Sequence, residues 1–178
     1  MSPLAKRRAI GIALALAIFA VDQWFKWWVT GPLDLQRVGV IEIVPFFDLR
    51  WTQNFGISLG MFEATSPEMR WGLVLLTGAI ALVVTIWMLR EKALGDILGL
   101  SLILGGALGN IRDRYNLGYV IDYADLHFGT FRPFLIFNIA DAAITIGVVI
   151  ILARAFLMRD TVDDLMKENP ALPGGKTR

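Results

Sequence analysis

Between Trp71 and Leu89 the chain runs without one ionisable side chain, and no other feature restricts its fold as strongly. A bilayer-crossing helix needs roughly 20 mostly apolar residues. Three further stretches approach that length: Ala9–Val29, Leu94–Ile111 and Phe134–Ala153. Hydrophobic residues make up 56% of the chain and charged ones 19%, a balance that points away from a soluble domain. The short turn Arg90-Glu91-Lys92 makes the second and third stretches an antiparallel helical hairpin. The expected fold class is therefore a mainly α membrane protein with four transmembrane helices.

The first stretch also fits a cleavable signal peptide, since Lys6-Arg7-Arg8 precedes an apolar run with small residues near Ala20. The run continues through Trp24, Trp27, Trp28 and Val29, and three more spans follow, so it reads as a retained span. Lys6 to Arg8, Arg90 with Lys92, and Arg154 with Arg159 all fall on one side of a four-span arrangement. The positive-inside tendency makes that side cytoplasmic, with both termini, against competition from Arg37, Arg50, Arg70, Arg112, Arg114 and Arg132 on the other. The expected layout is one polytopic domain over residues 1–158 and a flexible cytoplasmic tail over 159–178. Within the domain, a short β-sheet on the outer side occupies about 31–68 and an interfacial segment about 113–133. Alternation of Phe47, Leu49 and Trp51 with Asp48, Arg50 and Thr52 is what predicts strands in the first outer loop. Trp24, Trp27, Trp28, Trp51 and Trp71 read as anchors at the outer boundary, and Trp87 at the inner one.

Several chemistries fall away. Net charge is +1 with basic residues spread along the chain, which gives no footprint for nucleic acid. Cysteine is absent and histidine occurs once, as His127, so thiolate zinc sites, disulfides, a cysteine nucleophile and multi-histidine metal sites are excluded. No metal or cofactor is expected. Hydrolysis would have to use carboxylates, serine or lysine.

Polar residues inside the spans gather at one level. Asp22 and Lys26 lie late in the first span, Asn110 late in the third, Asn138 and Asp141 early in the fourth. Charges at such depth face a partner, the bundle interior or a water-filled site. Asn138 and Asp141 are three apart and share a helix face; Asp22 and Lys26 are four apart and could form an internal salt bridge. The second outer loop adds Asp113, Arg114, Asp122, Asp125 and His127, and spacing alone does not choose among its carboxylates. Two aspartates sharing one proton could cut an amide, one activating water and the other protonating the oxygen that becomes negative. Two alternatives stay open: Ser58 or Ser101 activated by Lys26, and a proton-coupled carrier, against which the lack of an inverted repeat argues.

Four blocks resemble the lipoprotein signal peptidase (signal peptidase II) family over nearly all the chain up to about Ala155. They are Asp22-Gln23-Trp24-Phe25-Lys26; Asn54-Phe55-Gly56; Gly105 to Arg114, with Val120-Ile121-Asp122-Tyr123; and Phe137-Asn138-Ile139-Ala140-Asp141. The resemblance implies an intramembrane aspartic peptidase of the bacterial cytoplasmic membrane with Asp122 and Asp141 as catalytic pair. Such enzymes cleave diacylglyceryl-modified prolipoproteins just before the lipidated cysteine, and globomycin-type inhibitors block them. It also implies four transmembrane helices, a small β-cradle and a short interfacial helix on the outer side. The expected partners are prolipoprotein substrates and membrane lipids, with the chain a monomer. By the same carry-over Asn54, Asn110, Arg114 and Asn138 line the groove or orient the dyad, with Asp22, Lys26, Asp113 and Gly56 in support. The chain departs from the family pattern at Ile57-Ser58-Leu59 and at Tyr123, where phenylalanine is common.

Overall fold

The computed structural model describes residues 1–56 and 66–168, the last of these, from 158 onward, as backbone alone. The departure at Ile57-Ser58-Leu59 and the chain after 168 lie outside the described residues. In order the elements are α1 (Pro3–Thr30), α2 (Leu35–Val38), β1 (Val40–Val44), β2 (Phe47–Asn54), α3 (Pro67–Arg90), α4 (Leu94–Asn116), β3 (Val120–Leu126) and α5 (Ile139–Glu168).

Three of these helices are long and apolar enough to cross a membrane: Pro67–Arg90, Leu94–Asn116 and the Ile139–Leu157 part of α5. The fourth expected span, α1, is a helix of 28 residues packed in the same bundle, but is not among those three. Sequence dictates where α1 and α3 begin. Each opens with serine at the N-cap and proline in the first turn, Ser2 accepting from Ala5 N and Ser66 from Met69 N. Glu91 ends α3, its carboxylate accepting the backbone N–H groups of Lys92 and Ala93 to close the hairpin. Arg7 donates to Lys92 O, and Arg154 forks onto Asp96. The basic groups that the sequence assigned to one side thus meet at one end of the bundle.

Helix α4 is central, packing against α1, α3 and α5. An apolar cluster of Ala15, Ala81, Val84, Met88, Ile97, Leu100 and Leu104 fills the half of the bundle near the hairpin. Outward faces carry exposed Leu75, Leu82, Val83 and Val149, a surface suited to lipid and costly in water. At the other end, glycines let the helices close. A Cβ on Gly106 would lie 2.3 Å from Ala140 O, and one on Gly109 2.5 Å from Asp22 Oδ2. Larger residues there would push α5 and α1 off the central helix.

The cradle is a three-stranded antiparallel sheet ordered β1-β2-β3. It sits on the end of α1 through Val29, Leu35, Leu49, Ile121, Tyr123 and Ala124, with Phe25 stacked 4.8 Å from Tyr123. Its third strand comes from the second outer loop, which the sequence pattern read only as interfacial. Strict alternation in β2 also fails. Leu49 pairs with Ala124 but Thr52 pairs with Asp122, so one extra residue bulges at Arg50-Trp51 and puts Thr52 on the face of Leu49 and Asp122. Trp28 and Trp51 pack on the cradle's apolar cluster instead of standing free as anchors, whereas Trp24, Trp27, Trp71 and Trp87 are exposed.

The last helix differs from the sequence reading at both ends. It starts at Ile139, not Phe134, because Phe137 is held in an isolated bridge to Ala124 and Asn138 turns the chain into the helix. Its backbone continues to Glu168, past the expected boundary at 158. A four-residue helix, α2, precedes the sheet.

Candidate active site

Why Asp141 points where it does follows from its place in α5. Asn138 is the N-cap residue: its Oδ1 accepts from Asp141 N at 2.9 Å, and Asp141 Oδ2 accepts back from Asn138 N at 3.3 Å. This reciprocal pair is a capping box with asparagine and aspartate in its two positions. Two more amides of the first turn are taken by distant side chains, Ile139 N by Tyr123 Oη at 3.2 Å and Ala140 N by Asp22 Oδ1 at 3.0 Å. Each would otherwise be an orphan donor at a buried helix end. The tyrosine that departs from the family pattern therefore supplies an acceptor that phenylalanine lacks. Capping also corrects the expected depth, since Asp141 stands in the first turn of its helix rather than two turns in.

Asn138 ties the second aspartate to the first. Its Nδ2 donates to Asp122 Oδ1 at 2.6 Å, with Asn110 Oδ1 and Ile121 O also within reach at 3.2 Å. Asn110 Nδ2 donates to Asp141 Oδ1 at 2.8 Å. On the other side of Asp122, Asn54 Nδ2 donates to Oδ2 at 3.0 Å while Asn54 Oδ1 accepts from Gly56 N. That turn explains the spacing Asn54-Phe55-Gly56: the asparagine folds its own loop back and keeps its amide for the carboxyl. Arg114 donates from Nη2 to Gly56 O at 2.6 Å, and its Nε is buried without a hydrogen-bond partner.

Asp122 is buried. Burial, and then the charge of nearby Asp141, push its carboxyl up to about 7, against the opposing hydrogen bonds from Asn54 and Asn138. A group poised there exchanges a proton readily at neutral pH.

Behind this pair lies a second buried cluster. Lys26 Nζ stands 2.9 Å from Asp22 and 2.8 Å from Asp113, and donates to Asn110 Oδ1 at 3.2 Å. Gln23, which carries no charge to mark it in the sequence, donates to Asp22, Asp113 and Gly109 O and receives Arg112. Asp113 also accepts from Ile121 N at the start of β3. Asp22, Lys26 and Asp113 therefore fasten α1, α4, β3 and α5 together, and Asn110 bridges Lys26 to Asp141.

A groove of about 490 Å³ opens beside Asp122, between Thr52 to Gly56 and Arg132 to Ile136. Thr52 and Arg132 were not singled out as site residues from sequence. The bulge that turns Thr52 inward leaves no mark on residue type, and Arg132 sits in a loop without periodicity. His127 stands apart on the cradle, Nε2 3.1 Å from Asp48 Oδ2. Among the described residues no group of three acidic or histidine side chains is placed to hold a metal ion. Ser101 is in the apolar cluster, donating to Ile97 O and close to Gly11, about 22 Å along α1 from Lys26 at 1.5 Å per residue. It cannot use that lysine. Ser58 is outside the described residues.

Comparison with known proteins agrees with the geometry. A family described as "Signal peptidase (SPase) II" matches residues 14–157. A lipoprotein signal peptidase of Sphingopyxis alaskensis is 55% identical, covering 83% of this chain and 86% of that protein. Another, from Rhizorhabdus wittichii, is 51% identical, covering 86% and 89%. A solved bacterial membrane enzyme superposes with a TM-score of 0.74 at 27% identity, over 87% of this chain and 91% of the other. With the matched region running from α1 into α5 and taking in every residue of both polar clusters, the chain belongs to the signal peptidase II family.

Proposed function

We propose that this chain is an aspartic endopeptidase that removes signal peptides from diacylglyceryl-modified prolipoproteins, cleaving before the lipidated cysteine. The observation that carries this reading is the linkage of Asp122 and Asp141 through one asparagine, Asn138, beside an open groove. The pair holds one proton. Its ionised member takes a proton from a water whose oxygen attacks the scissile carbonyl; its protonated member donates to the carbonyl oxygen. Collapse of the tetrahedral intermediate breaks the C–N bond, and the proton gained from water passes to the leaving amine. Buried surroundings keep the two carboxyls from ionising together. Arg114 Nε, buried and unpaired, is a donor for the substrate backbone.

On the same reading α1 is the fourth transmembrane helix, its two ionic residues neutralised inside the bundle. The chain is a monomer in the bacterial cytoplasmic membrane, both termini inside, with the cradle and groove at the outer face. Membrane lipids surround it, and globomycin-type inhibitors occupy the groove. The test is a gel-shift assay on a precursor with and without diacylglyceryl on its cysteine. The lipidated form is expected to yield a product whose N-terminal residue is the modified cysteine, by mass spectrometry, and globomycin is expected to stop it. Equal cleavage of the unlipidated precursor, or a cut elsewhere, contradicts the proposal.

A further inference from the structure

Arg132 lies on the wall of the groove that contains Asp122, outside both aspartate clusters. Its Nε donates to both oxygens of Asp125, at 3.1 and 3.2 Å. Asp125 is fully buried and also receives Arg50 Nε at 2.9 Å. A buried carboxylate needs a cationic or hydrogen-bonding partner, and Arg50 alone would provide one. The second guanidinium is in excess of that need and stays 43% exposed. Among the described residues only the Nε of Arg132 has a protein partner, so the Nη donors remain available at the groove. Beyond it the wall turns apolar, with Phe134 and Leu135 both more than half exposed. Donors beside bare hydrocarbon suit a ligand that carries oxygen acceptors next to acyl chains.

We propose that Arg132 is a substrate-recognition residue whose Nη groups receive carbonyl oxygens around the lipidated cysteine, and that Asp125 is the positioning residue that aims it. This rests on the peptidase reading above. The carbonyls are either the esters of the diacylglyceryl group or the peptide carbonyls flanking the cysteine, and one donor chemistry serves both. Such a contact is made alike in bound substrate and transition state, so it acts on KM and leaves kcat nearly unchanged.

The test uses the purified full chain and two lipidated precursors, one with ester-linked and one with ether-linked chains. Arg132→Ala raises KM about tenfold on the ester substrate, the scale of a hydrogen bond to a charged group, with kcat within about twofold. Arg132→Lys falls between, because it keeps the charge without the fork. Asp125→Asn raises KM in the parent chain and adds little in the Arg132→Ala background, a coupling that a purely structural role would not produce. If the Arg132→Ala effect vanishes on the ether substrate, the partner is the ester; if it persists, the partner is the peptide; both sustain the proposal. An unchanged KM on both substrates, or a loss confined to kcat or to thermal stability, overturns it. Asp122→Asn run alongside separates the two readings: normal cleavage by that variant defeats the dyad whatever Arg132 does.

Discussion

Two pairs of buried aspartates lie close together in this molecule and differ in what stands between them. Asp22 and Asp113 have a lysine, Lys26, within 3 Å of both. Asp122 and Asp141 have amides, from Asn54, Asn110 and Asn138, and among the described residues neither forms an ion pair. A cation within reach of two buried carboxyls ties them into a clamp. Amides orient a carboxyl and leave its proton exchangeable. The same residue type, in the same polar layer, thus stands in two settings, a lysine-bridged clamp that holds helices together and, on the function proposed above, a pair that does the chemistry, and the placement of one lysine separates them.

The comparison is broken most severely at the amide-held pair. Asp122→Asn and Asp141→Asn are each expected to lower the cleavage rate by roughly 10³-fold or more, with thermal unfolding below about pH 4 close to the parent. The double variant should be scarcely worse than either single, since residues acting as a unit are not additive. At the clamp the loss should be of stability instead. Lys26→Met leaves Asp22 and Asp113 facing each other in a buried site and should cost about 3–5 kcal/mol, read by thermal or denaturant unfolding. Replacing Asp22, Lys26 and Asp113 together by apolar residues of similar volume should recover much of it.

Acidity sharpens the contrast. With its carboxyl raised to about 7 in the folded chain, Asp122 favours folding below the ordinary aspartate value near 4, and that contribution is lost as pH rises through about 7. Unfolding scans should therefore show the parent losing stability between about pH 4 and 8, on the order of a few kcal/mol, with the decline reduced in Asp122→Asn. A parent no less stable at pH 8 would count against the assignment. The smallest expected effect is at Tyr123. Tyr123→Phe leaves Ile139 N without its acceptor and should cost about 1 kcal/mol, with cleavage within a few-fold of the parent.

The residues of both clusters were visible in the sequence because charge in an apolar span is rare and costly. Asp22 with Lys26 and Asn138 with Asp141 announced themselves through helical spacing. The partner across the pair did not, since Asp113, Asp122 and Asp125 look alike in a polar loop, and only the family motif chose Asp122. Burial and strand pairing do the choosing physically: Asp122 faces Asn54 and Asn138, Asp125 faces two arginines, and Asp113 faces Lys26. The β2 bulge and the extended run into Asn138 escaped for a related reason. Alternation and hydropathy report local preference, whereas the bulge depends on pairing with β3, and the start of α5 depends on Tyr123 and Asp22, which lie far away in the chain.

The central claim is that two carboxyls share a proton that leaves near neutral pH. Infrared difference spectroscopy of the carboxylic C=O stretch, titrated in the purified chain, reads that proton directly. The account predicts a protonated carboxyl that titrates around pH 7, is absent in Asp122→Asn, and titrates at lower pH in Asp141→Asn, where the neighbouring charge is gone. A parent chain with no carboxyl titrating between about pH 6 and 8, or one unchanged by Asp141→Asn, would contradict it.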